Sequence, residues 1–89
     1  MIAFIMRRWL DDMDIPDAEF IRVSGYDKRT FDYWMSSHYV PQLMPLKDIV
    51  ETFGKFGNWH AYKKHIAYKL LIDLRTDELT MRKRQKGLK

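Results

Sequence analysis

At 89 residues, with hydrophobic residues making up 46% and aromatic ones 15%, the chain is long enough for one packed domain, and global disorder is excluded. There is no cysteine, which removes disulfides, thiolate metal sites and a thiol nucleophile together and fits a cytoplasmic protein. The net charge of +4 is uneven: residues 1–45 carry five Lys/Arg against seven Asp/Glu, and residues 46–89 carry eleven against five, so the basic half suits a polyanionic partner.

The predicted elements are all helical. Ile2, Ile5, Met6, Trp9 and Leu10 recur at helical spacing and define an amphipathic first helix, ended by Asp11, Asp12 and Asp14. This apolar run precedes Arg7 and Arg8, the reverse of a secretory signal, and is too short to cross a bilayer, so no membrane role is expected. Pro16 suits the first position of a second helix, which runs to about Val23, and Ser24-Gly25 breaks it. Asp27 is an N-cap for a third helix that continues through Thr30, Phe31, Trp34 and Met35 to about Ser37. His38 to Met44 is expected to be a loop, and Pro45 opens a fourth helix through Phe53. Gly54 and Gly57 are expected to end that helix, and Asn58 caps a fifth spanning 58–75. Residues 77–89 read as a frayed basic tail after a domain covering 1–76.

The junction of helices two and three carries the functional reading. Two helices that pack crosswise around a tight turn need a flexible residue in the turn and apolar residues at fixed offsets on the inner faces. Phe20 and Ile21 precede the turn, Gly25 occupies it, and Phe31 and Trp34 form the inner face of helix three. The outward set is then Asp27, Lys28, Arg29, Thr30, Asp32, Tyr33, Ser36 and Ser37, which offers donors and acceptors for base edges and phosphates.

In residues 15–54 the stretch Ile15 to Ile21, Ser24-Gly25-Tyr26, Thr30-Phe31, Trp34, Pro41, and then Leu46, Ile49, Val50, Phe53 and Gly54 resembles the Cro/phage-repressor helix-turn-helix family. The spacing of Trp34 to Pro41, and of Pro41 to Gly54, keeps that family's register. Departures at Ile21, Tyr26, Met35 and Ser37 mark a divergent member. The resemblance implies a five-helix lambda-repressor-like domain and a sequence-specific double-stranded DNA-binding regulator, most simply a repressor from a phage or mobile element. Two other uses of the same scaffold stay open: an excisionase or recombination directionality factor, and a protein-interaction module of antirepressor or antitoxin-like kind.

The fifth helix is apolar on more than one side. Trp59, Tyr62, Ile66, Leu70 and Leu74 form a stripe expected to pair with a second copy, giving a homodimer. Arg82, Lys83, Arg84 and Lys86 in the tail are candidate phosphate contacts. Catalysis is not expected. Asp11, Asp12 and Asp14 have no histidine at ligand spacing, His60 and His65 are five apart rather than four, and no phosphate-binding glycine loop exists. No metal, cofactor or small-molecule substrate is implied.

Overall fold

The computed structural model describes residues 2–36 and 39–87, with side chains through Lys83. It contains five helices in the order α1 (Ile2–Asp12), α2 (Asp17–Ser24), α3 (Lys28–Trp34), α4 (Leu43–Gly57) and α5 (Ala61–Gly87), and no strand among the described residues.

Helix α1 buries Ile2, Met6 and Leu10, one residue per turn. Its end is built more tightly than an acidic stop. Asp14 takes a left-handed φ of 53°, its N–H donates to the Asp11 carbonyl, and the Ile15 N–H reaches back to the Leu10 carbonyl at 2.9 Å. This pair of bonds satisfies carbonyls that a helix end leaves open, and it drives Ile15 into the core beside Leu10. Pro16 stands one residue before α2, in extended conformation, rather than at its first position. The start of α2 is tied to α1 by Arg7, whose guanidinium donates two 3.0 Å bonds to the Asp17 carboxylate.

Helix α4 is the centre of the core. It buries Leu46, Ile49, Val50, Thr52, Phe53 and Gly54, and the other helices pack around it. It starts at Leu43, two residues before the expected Pro45, because the first-turn N–H groups have no acceptor in any helix and proline loses nothing there. Gly54 does not end α4. It lies buried inside the helix, where an added Cβ would come within 2.9 Å of the Lys64 side chain, so α5 approaches closely at that point. Asn58, expected to cap the fifth helix, instead closes α4 in a left-handed conformation, with its N–H on the Gly54 carbonyl. The cap of α5 falls to His60, whose Nδ1 accepts the Lys63 N–H at 3.2 Å.

An aromatic cluster joins these elements. Phe20 contacts Phe53 at 4.7 Å and Phe31 at 5.8 Å between ring centroids, and Trp9 meets Phe53 edge-on at 5.1 Å. Such pairs add to the burial of their large apolar area.

Helix α5 runs to Gly87, so the segment read as a frayed tail from residue 77 is helical to that point. Residues 75–86 hold no glycine or proline and are mostly good helix formers. Glu78 also accepts the Ile2 N–H at 3.0 Å, which satisfies the start of α1 and pins the extension to the domain. No helix of the described residues is long and apolar enough to cross a membrane.

Candidate nucleic-acid interface

The turn between α2 and α3 is braced from both sides. Gly25 closes α2 with φ 78°, a conformation that costs glycine nothing. The Ser24 hydroxyl donates to the Ile21 carbonyl at 2.8 Å and accepts the Tyr26 N–H at 3.1 Å. Asp27 caps α3 by accepting the Thr30 N–H at 2.8 Å, and these hydrogen bonds hold its carboxyl below the usual range. Tyr26 lies edge-on against Trp34 with centroids 4.7 Å apart, and its hydroxyl donates to Asp48 of α4 at 2.5 Å. That bond to a carboxylate, with desolvation and the carboxylate's charge adding to it, pushes the Tyr26 phenol up to about 12.

Helix α3 is held by Phe31 and Trp34, both buried, so its other face is fixed outward. Lys28, Arg29, Asp32 and Tyr33 are exposed there, and Thr30 is half-buried. The helix stops at Trp34, before the expected end at Ser37. Ser36 lies half-buried in the following turn, and Ser37 is outside the described residues. The exposed set is not equally free. Asp27 is committed to its cap, and Lys28 Nζ pairs with Asp32 at 2.8 Å, so those two charges offset one another. Arg29 forms no ion pair as close as that of Lys28, although its charge helps to lower the Asp27 carboxyl, and its guanidinium lies 6.0 Å from the Tyr33 ring centroid. Tyr33 in turn packs against Tyr39, 5.7 Å away. Arg29 and Tyr33 are therefore the two side chains best placed to meet a ligand.

Tyr39, and Leu43 and Met44 just beyond it, are exposed. Nothing in the sequence marks this segment, since residues in a proline-bracketed loop have no periodicity that would define a face. The link from Tyr26 to Asp48 was also missed, because 22 residues separate the partners.

The expected stripe on α5 divides in two. Trp59 is half-buried against Trp9 and Phe53, and Leu74 is half-buried against the core, so each presents only part of its surface outward. Tyr62, Ile66 and Leu70 remain 70%, 51% and 41% exposed. Trp59 turns back over the domain because it lies in the connection between Asn58 and the start of α5, not on the helix itself. In the extension, Arg82 and Lys83 are exposed on a helix, not on a loose tail; the side chains of Arg84 and Lys86 lie outside the described residues. Among the described residues no three metal-ligating side chains converge.

Comparison of the chain with protein-family models, curated proteins and solved structures gives no match.

Proposed function

We propose that this chain binds double-stranded DNA in a sequence-dependent way and regulates transcription, most simply as a repressor of the phage or mobile-element kind. The observation that carries the reading is the braced α2–turn–α3 unit. Burial of Phe31 and Trp34 fixes α3 from the inside and leaves Arg29 and Tyr33 facing out. A guanidinium in that position can donate two bonds to a guanine edge, and a phenol can donate to a phosphate. The exposed Tyr62, Ile66 and Leu70 face of α5 supports pairing with a second copy. A two-fold pair would present two α3 helices to half-sites about one DNA turn apart.

Selection of bound sequences from a random duplex pool tests the reading, with Lys28→Ala/Arg29→Ala in parallel. The wild type is expected to enrich a motif, as an inverted repeat if the pair forms, and the variant to lose it. Absence of enrichment, or enrichment indifferent to the substitutions, removes α3 as the reader. A second reading, a protein-binding face, is favoured by one observation: the Lys28–Asp32 pair leaves α3 close to neutral beside exposed Tyr33 and Tyr39.

A further inference from the structure

Most cations of the first three helices are neutralised locally. Arg7 pairs with Asp17, Arg8 with Asp12, Arg22 with Glu19 and Lys28 with Asp32. On the last turns of α5 the arrangement is different. Arg75, Thr76, Leu79, Thr80, Arg82 and Lys83 line a groove of about 630 Å³, and none of its three cations has a carboxylate partner among the described residues. The spacing builds the groove: Arg75, Leu79 and Arg82 form one row at i, i+4 and i+7, and Thr76, Thr80 and Lys83 form the row beside it. By the same register Asp73 adjoins the Thr76–Thr80 row, and Glu78 lies beside the Arg75–Arg82 row, where its carboxylate accepts the Ile2 N–H at 3.0 Å.

The groove is positioned rather than loose. Arg75 Nε donates to the Pro41 carbonyl at 2.9 Å, which fixes this flank of α5 against the connection that follows α3. Only one of the five guanidinium N–H groups is used by that bond, so the rest of the fork is available. Both threonine hydroxyls donate to helix carbonyls, Thr76 to Ile72 and Thr80 to Thr76. They hold no proton for a ligand, and recognition falls to the three cations. From Arg75 to Lys83 is about 12 Å along the helix axis. That length suits a short run of phosphates on one strand, spaced about 3.4 Å along a duplex.

We propose that this groove is a phosphodiester site, which grips the DNA backbone beside the duplex segment met by α3. It rests on the DNA-binding reading but makes a separate demand: affinity from Arg75, Arg82 and Lys83 without sequence preference. It differs from contact by a disordered tail because the cations are held on a helix at fixed spacing, and because Arg75, which precedes that segment and is bonded to Pro41, belongs to the set.

The test measures affinity for the selected duplex and for an unrelated duplex over a range of salt, with Arg82→Gln/Lys83→Gln and separately Arg75→Gln. The first two positions are exposed, so the double variant should keep its fold, which circular dichroism verifies. The double variant is expected to weaken both duplexes alike and to reduce the slope of log affinity against log salt by about 2, with about 1 more for Arg75→Gln. An unchanged slope in a protein that still selects its motif overturns the groove and leaves α3 as the reader. Loss of slope in a protein that shows no motif supports the groove and removes α3. Inorganic phosphate titrated against the backbone amides of residues 75–83 separates the two sources of phosphate. Amide shifts without any effect of the substitutions on duplex affinity would make this a site for a free phosphate and overturn the backbone proposal.

Discussion

Replacing Tyr26 by phenylalanine isolates the bond that ties the turn between α2 and α3 to α4. The ring stays against Trp34, and only the hydroxyl that donates to Asp48 at 2.5 Å is lost. A hydrogen bond to a charged acceptor contributes about 1.5–3 kcal/mol. The rise of the phenol from 10.0 to about 12 corresponds to about 3 kcal/mol at full weight. Tyr26 and Asp48 are both partly solvated, and water replaces part of the bond, so we expect Tyr26→Phe to cost about 1–2 kcal/mol. The sign of the pH dependence follows from the direction of the shift. The folded phenol is raised above its unfolded value, so the stabilisation is complete below pH 10 and is lost as pH rises toward 12. Chemical denaturation of both proteins between pH 7 and pH 11, with ultraviolet titration of tyrosinate, measures both effects. Carried past the raised value, the tyrosinate titration should show the Tyr26 phenol ionising above its ordinary value, and the variant should lack that step. A cost below about 0.3 kcal/mol, or a difference that does not shrink above pH 10, would refute this account.

Asp14→Gly should stabilise the fold by about 0.5–1 kcal/mol, read from the denaturation midpoint, because glycine adopts the left-handed end of α1 without the Cβ penalty. Asp27→Ala should lower the denaturation midpoint through loss of the α3 cap, and its effect should fade as pH falls below the carboxyl's unfolded value near 3.8. Arg29→Ala should lower specific DNA affinity by about 1–3 kcal/mol with no loss of thermal stability, since the side chain is exposed; fluorescence anisotropy checks the first and calorimetry the second. Ile66→Asp should leave the monomer folded and abolish self-association in sedimentation equilibrium; an unchanged mass would remove the α5 face from the pairing surface.

Local periodicity was enough to determine that the chain is helical, where most helices lie, and that Phe31 and Trp34 face inward. Those properties depend on residues three or four apart, or on a single glycine or cap such as Gly25 and Asp27, and short-range sterics and hydrogen bonds set them. The tertiary structure decided the rest. Asn58 can cap either of two helices, and the approach of α5 to Gly54 assigns it to α4. Trp59 looks like one more member of an exposed stripe until the turn folds it onto Trp9. Which cation of α3 is offset by which carboxylate is not legible in the sequence until Lys28 closes on Asp32 and Arg29 comes to lie near the Tyr33 ring. The residues after 75 look like a tail until Glu78 meets the start of α1 and Arg75 meets Pro41. Each outcome depends on a partner that the one-dimensional pattern does not reveal: a distant residue brought near by packing, or a neighbouring charge whose pairing follows from side-chain geometry.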